Sequence, residues 1–442
     1  MSRDIIPPGK IQLNDFDQTA KSGGKVLFTD YNGQSCALFI QSDRLKAARF
    51  FSKKQSKIGA IYICKVKNAV PNLNAYFVEI GGKDREICYL SKQDASFPFL
   101  LNRQYDGRIL EGDEFPVQIT RDAQKTKQAS VTTRIQLADD YIALRLAEKF
   151  AIQYSQKISE KNKNSLEEIL SGDTFSEKYP KKTADQIGYF TEYVIRTNSA
   201  TLLSGNSEQV SQSLHASFET LANEFVSLYE TARHRTCFTC LKEAPSPWQA
   251  ALNDLILPGE AEEILTDRVD IFHQLEANSQ SLAKYKLRFY DEKQSSVLPL
   301  SKLYGLDSKL GNALERRIWL KSGGYLVIEP TEALTVIDVN SGKYEAKKDV
   351  EEAFLRINKE AAEEIALQMR LRNLSGIIVC DFINMKSKEN NSVLMNYLKD
   401  LVKADTQKCV VVDMTKLGLI EITRKKSYPT LSEQIYTRGS NT

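Results

Sequence analysis

From Lys25 to Tyr89 the apolar residues fall into short alternating or unbroken runs, KVLFTDY, SCALFI, AIYICKVKNAV, AYFVEIG and EICYL, separated by turn residues. EFPVQIT and ASVTTRIQL continue the series. Period-two alternation in short runs is the mark of half-buried strands, and a succession of them predicts a small all-β barrel. The polar residues ahead of it, with Pro7, Pro8, Gly23 and Gly24, read as a loose arm.

After Ala138 the period changes. YIALRLAEKFAIQ reads as a helix, the polar stretch from Ser155 to Lys182 as surface loop and helix, and YFTEYVIRT as a strand. The apolar spacing from about Ser207 to Arg233 predicts a long amphipathic helix, and the CFTC and APSP turns that follow mark a boundary near Pro247. The last third alternates strand and helix: YLVIEP, ALTVIDV, a helix from about Asp349 to Arg372, GIIVCDFI, a helix from about Ser387 to Lys403, KCVVVDM and GLIEITR. This is α/β sequence with a mostly buried sheet.

At 442 residues and 42% hydrophobic composition the chain fills roughly two to four compact units. The 60 Lys+Arg and 57 Asp+Glu nearly cancel, so any case for a polyanionic partner rests on local features. No apolar run is long enough to span a membrane, and the N-terminus lacks the apolar core of a signal peptide. Seven scattered cysteines read as reduced thiols. The expected location is the cytoplasm. His215, His234 and His273 lie far apart in sequence and outside the apolar strand motifs, which argues against histidine-based catalysis.

Candidate chemistry gathers at two strand ends. Asp338 closes the apolar run of TEALTVIDVNSGKY, and Asp381 closes that of SGIIVCDFINM. The helix between them opens with Asp349 and has Glu352 three residues on, in the manner of a capping box. A βαβ crossover of this length brings both aspartates to one sheet edge, where two carboxylates suit a hard cation such as Mg2+. Asn340, neutral and two residues beyond Asp338, is placed to orient a carboxylate or a phosphate. Strand-end aspartates also serve as turn formers and helix caps, and spacing alone does not choose between the roles. No GxxxxGK[ST] loop is present to support a phosphotransferase.

LKSGGYLVIEPTEALTVIDVNSGKY, LRNLSGIIVCDFINM and LGLIEITRKK resemble the catalytic core of the ribonuclease E/G family. IGAIYICKVKNAVPNLNAYFVEIG resembles that family's OB-type RNA-binding module, and YVIRTNSA its 5′-end-sensing segment. The resemblance implies magnesium-dependent endonucleolytic cleavage of single-stranded RNA to 5′-phosphate and 3′-hydroxyl ends, in RNA processing and decay. The alternative is a non-cleaving RNA-binding protein of the same fold. The implied architecture is mixed α+β and α/β: a flexible arm (1–22), an RNase H-like subdomain in two parts (23–55 and 248–313), an inserted OB-type barrel (56–134), a 5′-sensor-like region with a helical insert (135–247), a DNase I-like catalytic subdomain (314–434) and a tail (435–442). Asp338, Asn340 and Asp381 match the family's catalytic positions, with Asp338 and Asp381 as the metal ligands. Phe77, Tyr89 and Lys127 match its RNA-binding positions, Tyr89 standing where Phe is usual. Alternation alone makes Phe77 a core candidate; the module match reverses that reading.

Arg196, Thr197 and Lys408 match the 5′-phosphate sensor, with Lys408 in place of a usual Arg. Asp139 stands where Gly is usual, Ala143 replaces a usual Val, and Asn384 departs from the usual Asp of FIDM. A carboxylate at Asp139 is expected to weaken dependence on a 5′-monophosphate. The final SYPTLSEQIYTRGSNT lacks the Cys-Pro-x-Cys pair through which relatives share zinc, so zinc-linked assembly by that route is expected to be absent. Cys237 and Cys240 form a single CxxC, which reads as free thiols ahead of a four-thiolate site shared between two protomers. Homo-oligomerisation by other routes stays open.

Overall fold

A computed structural model describes residues 23–51, 56–81, 85–96, 98–123, 127–147, 149–156, 158–171, 188–203, 205–257, 259–279, 282–292, 298–342 and 350–436. The expected arm at 1–22, the Asp349 helix start, the later part of the polar insert and the last tail residues lie outside the described residues. The chain divides into two compact units, one of residues 1–52 with 250–442 and one of residues 53–249.

The first unit holds two sheets. In the five-stranded sheet the order is Lys286–Phe289, Ala261–Thr266, Gly24–Tyr31, Gln34–Gln41, Arg44–Phe51. The first three strands run parallel and the last three are joined as antiparallel hairpins. Asn32-Gly33 and Ser42-Asp43 make the hairpin turns with positive φ at both residues, the geometry whose twist matches that of the flanking strands. The sequence reading assigns KVLFTDY and SCALFI to a barrel series; they belong instead to this sheet. Short apolar runs alone do not say which sheet a strand joins; here residues 26–29 and 36–40 are buried without alternation, so these two strands are covered on both faces.

The six-stranded sheet has the order Arg317–Trp319, Tyr325–Pro330, Leu334–Asn340, Gly376–Asp381, Ile420–Arg424, Cys409–Met414. The helices Val350–Leu371 and Lys388–Lys403 supply Ile357, Ala361, Ile365, Leu394 and Leu398 to a core shared with Ile328, Ile337, Ile378, Cys380 and Ile422 of the strands. Ser387 caps the second helix by accepting from Asn390 N. One face of the sheet is therefore packed. Val336, Ile377, Val410 and Val412 on the other face are exposed.

The second unit contains a closed five-strand barrel: Ile61–Val70, Ala75–Ile80, Glu86–Ser91, Ser130–Thr132 and Glu114–Arg121, which returns to the first strand. Val66, Val78, Cys88, Leu90, Phe115, Val117 and Val131 fill it. Beside it in sequence, Ala151–Tyr154, Phe190–Ile195, Ile142–Ala147 and Gln136–Ala138 form a four-stranded sheet. This corrects the helix expected over YIALRLAEKFAIQ. Its Ala, Leu, Lys and Glu favour helix locally, but Ile142–Ala147 pairs residue for residue with Phe190–Ile195, a strand far along the chain. The polar insert does form a helix, Glu160–Leu170.

The helix Ser207–Arg233 covers this sheet. Asn206 Oδ1 caps it from Gln209 N at 2.8 Å, and Val210, Leu214, Phe218, Leu221, Phe225 and Tyr229 make the buried stripe that its sequence promises. Phe218 stacks on Tyr193 with ring centroids 4.6 Å apart. Among the described residues no helix is long and apolar enough to cross a membrane.

Candidate active site

In Leu334–Asn340, Thr335, Ile337 and Val339 are buried, which turns Val336, Asp338 and Asn340 to the open face. Gly376–Asp381 does the same, burying Ile378 and Cys380 and presenting Ile377 and Asp381. The two strands are parallel and pair Asp338 directly with Asp381. Their carboxylates thus leave one face from backbones roughly 5 Å apart. Asn340 Nδ2 donates to Asp338 Oδ2 at 2.6 Å. That bond fixes one oxygen of the Asp338 carboxylate and leaves the other without a bond to Asn340.

Backbone packing fixes the ends of these strands. Gly342 has a φ of +64°, and a Cβ there would meet the Gly323 carbonyl oxygen at 2.3 Å; only glycine fits. Past Asp381, the buried Asn358 amide grips the chain from both sides: its Nδ2 donates to Ile383 O at 2.8 Å and its Oδ1 accepts from Ile383 N at 3.0 Å. Glu351 accepts from Ser387 N at 2.8 Å. Neither Asn358 nor Glu351 stands out in the sequence, since each acts through backbone partners distant along the chain. Asn384 is exposed just beyond this anchor.

The donor set fits a hard divalent cation. Two carboxylates on one face match the small number of protein ligands Mg2+ takes while keeping its waters. Among the described residues no group of three or more His, Cys, Asp or Glu is placed to hold a metal, and this pair is what they offer on the open face.

On the barrel, Phe77 pairs directly with Tyr89, and the two rings meet edge to face at 6.2 Å. Both are half-buried on the outer surface; it is the adjacent Tyr76 that packs on the barrel core. Lys127 is exposed two residues before Ala129, whose carbonyl accepts from Tyr89 N at 2.8 Å.

Arg196 and Thr197 follow the strand Phe190–Ile195, and Arg196 is exposed. The Arg196 guanidinium donates to the backbone carbonyl of Asp139, and the Thr197 hydroxyl shares a 3.0 Å hydrogen bond with that of Ser155. Asp139 does stand beside Arg196, but its carboxylate is engaged in its own turn, accepting from Tyr141 N and Ile142 N at 2.8 Å each. Lys408 is exposed and belongs to the first unit.

Cys237 and Cys240 flank a tight turn in which Phe238 has a φ of +72°. Burial pushes the Cys237 thiol up to about 11 and raises that of Cys240, which disfavours the thiolates a metal needs.

The open face near the aspartates carries three residues that the sequence reading passes over. Trp319 pairs with Tyr325, which pairs with Asn340; Arg317 pairs with Val327, which pairs with Asp338. Direct partners share a face, so Trp319, Tyr325 and Arg317 look out on the carboxylate side. A tryptophan between charged residues in ERRIWLK was the available signal.

The sequence model of the Ribonuclease E/G family matches residues 137–427. Ribonuclease E of Haemophilus influenzae is 29% identical over 385 residues, which are 86% of this chain and 39% of that protein. Ribonuclease G of the same organism is 28% identical over 393 residues, covering 86% of this chain and 74% of its own length, and ribonuclease G of Escherichia coli K12 is 28% identical over 385 residues, covering 84% and 73%. The chain thus spans about two fifths of the length of the ribonuclease E relatives it matches. With the match extending over well more than half of its residues, this chain belongs to the ribonuclease E/G family.

Proposed function

We propose that this chain is a magnesium-dependent endoribonuclease that hydrolyses single-stranded RNA to 5′-phosphate and 3′-hydroxyl ends, in RNA processing and decay. The observation that carries the reading is the direct pairing of Asp338 with Asp381 on an open sheet face, with Asn340 hydrogen-bonded to Asp338. The names of the matched relatives, Ribonuclease E and Ribonuclease G, support it. In this reading Asp338 and Asp381 hold Mg2+, which when bound makes hydroxide available near neutral pH and offsets charge on the phosphate. Asn340 keeps the Asp338 carboxylate aimed. Phe77 and Tyr89 stack unpaired bases, and Lys127 neutralises backbone charge. Arg196, Thr197 and Lys408 belong to recognition of the 5′ end. The strand order of the five-stranded sheet supports an RNase H-like subdomain, the closed barrel supports an OB-type module, and the six-stranded sheet carrying the aspartates supports a DNase I-like catalytic subdomain.

The test is to incubate the protein with a 5′-labelled single-stranded RNA, with and without Mg2+, and to identify the product ends. Asp338→Asn and Asp381→Asn are expected to abolish cleavage while leaving RNA binding near that of the unaltered protein. Cleavage within a few fold of the unaltered protein in either variant sinks the two-aspartate reading. RNA bound but left uncut by the unaltered protein with Mg2+ present makes it a non-cleaving RNA-binding protein.

A further inference from the structure

We propose that Trp319, Tyr325 and Arg317 form a stacking subsite that holds a nucleobase of single-stranded RNA beside the Asp338 and Asp381 carboxylates, an inference that rests on the RNA-cleaving reading above. Trp319 is 65% exposed. A side chain of that size left in water on a flat sheet is unusual for a residue with no partner. Its ring and that of Tyr325 meet at 5.2 Å with planes 60° apart, so each supports the other and a broad indole surface stays open. Arg317 lies over Tyr325 at 4.6 Å and 5.9 Å from the Trp319 ring. Among the described residues no carboxylate forms an ion pair with Arg317, the adjacent Arg316 being the one that meets Glu329, so the Arg317 charge is available to a phosphate.

Register ties this cluster to the chemistry. Trp319, Tyr325 and Asn340 form one row across three strands, and Arg317, Val327, Asp338 and Asp381 form the next row across four. Two strand spacings put Trp319 roughly 10 Å from the Asn340 backbone, within reach of a nucleotide flanking a phosphate held at the aspartates. Every base offers a π-face to an indole, so the subsite is sequence-tolerant. The guanidinium supplies the countercharge that the two aspartates deny to an approaching polyanion. A flanking base clamped here fixes the scissile phosphate on the carboxylates, so the subsite belongs to positioning.

The chain's two tryptophans make the test direct, because Trp248 is buried at 3% exposure and Trp319 is not. In the non-cleaving Asp381→Asn background, titration with a short single-stranded RNA is expected to quench tryptophan emission. The quench should persist in Trp248→Phe and vanish in Trp319→Phe. Trp319→Ala is expected to weaken binding by about 5- to 150-fold, the equivalent of the roughly 1 to 3 kcal/mol of one stacked base, with Trp319→Phe recovering most of it. A series of RNAs each lacking one base should show one flanking position where base removal weakens the unaltered site but not Trp319→Ala. RNA binding that depends on Phe77 and Tyr89 while Trp319→Ala leaves affinity, emission quench and the base-removal profile unchanged overturns the subsite and leaves the RNA reading standing. Failure of the unaltered protein to bind RNA at all overturns both. If Trp319→Ala instead shifts the oligomeric state in light scattering with no effect on RNA, the patch meets another copy of the chain and the subsite is wrong.

Discussion

Replacing Asp405, in the loop between Lys388–Lys403 and Cys409–Met414, with Ala is expected to destabilise strongly the sheet that carries the aspartates. Arg424 is fully buried and Asp405 is 5% exposed at its side chain. The pair is bidentate: Arg424 Nε donates to Asp405 Oδ2 at 2.7 Å and Nη2 to Oδ1 at 3.0 Å. Nη1 is occupied by Asn373 Oδ1 at 2.7 Å and the Leu374 carbonyl at 3.0 Å. Asp405→Ala removes the only anion hydrogen-bonded to it and leaves a buried guanidinium with only the Asp254 carboxylate acting on it without such a bond, which costs up to about 3 to 5 kcal/mol. For a unit of this size each kcal/mol lowers Tm by about 2 to 4 °C, so the transition should fall by roughly 6 to 20 °C. Arg424 pairs with Gly376, the first residue of the Asp381 strand, so the loss is felt in the sheet that carries the two aspartates. Thermal and urea unfolding of Asp405→Ala, Arg424→Met and the Arg424→Met/Asp405→Ala double variant completes a cycle. Removing both charges at once should recover most of the loss, because much of the single-variant cost is an orphaned charge. A single variant within about 1 kcal/mol of the unaltered protein, or a double variant as unstable as the sum of its parts, refutes the reasoning.

On the barrel, Phe77→Ala and Tyr89→Ala should each weaken single-stranded RNA binding by about 1 to 3 kcal/mol; normal affinity in both folded variants, measured by anisotropy, makes the pair a surface packing contact. At the 5′ end we expect only a small preference for monophosphorylated over hydroxyl RNA, rising in Asp139→Asn, which removes the charge but keeps an acceptor for Tyr141 N and Ile142 N. A tenfold or larger preference in the unaltered protein, read as a rate ratio for RNAs differing only at that end, shows that Asp139 does not oppose the phosphate. Burial pushes the Asp267 carboxyl up to about 6, with Glu292 adding to the rise and the Thr29 hydroxyl holding it down. A folded pKa above the unfolded one adds stability at acid pH that is lost as pH rises through about 6, so Asp267→Asn should gain more Tm over the unaltered protein at pH 7.5 than at pH 4.5; an equal gain at both counts against it.

How much of the fold could be read depended on whether burial followed local period. Helix Ser207–Arg233 repeats its apolar stripe for many turns, so its approximate span was legible. The strands and helices from Tyr325 to Arg424 were legible for the same reason, whereas the short helix Leu431–Tyr436 was not read. Ile142–Ala147 was not. Its residues are good helix formers, and what holds them extended is pairing with Phe190–Ile195, beyond an intervening helix. Arg44–Phe51 escaped for another reason: RLKAARFF has few large apolar residues, and its Ala47, Ala48 and Leu45 are buried only because the Ser42-Asp43 turn folds them back onto Gln34–Gln41.

The site divides along the same line. Asp338 and Asp381 end two runs of apolar residues joined by a helix, and a parallel crossover leaves little choice about which edge they share; their direct pairing is a matter of register that only the fold supplies. Trp319 lies on a three-residue edge strand, too short for any period to show. Its neighbours Arg317 and Tyr325 become a cluster only when the turn through Gly323 lays one strand against the next. Asp139 lies beyond what position in the sequence can decide. Position alone made its carboxylate an opponent of Arg196, whereas the fold spends one carboxylate oxygen on two backbone amides and offers Arg196 a carbonyl instead. Two amide donors already compensate part of that negative charge, so the repulsion a 5′-phosphate meets is smaller than that of an isolated carboxylate. The size of the monophosphate preference therefore measures how completely a turn can neutralise its own aspartate.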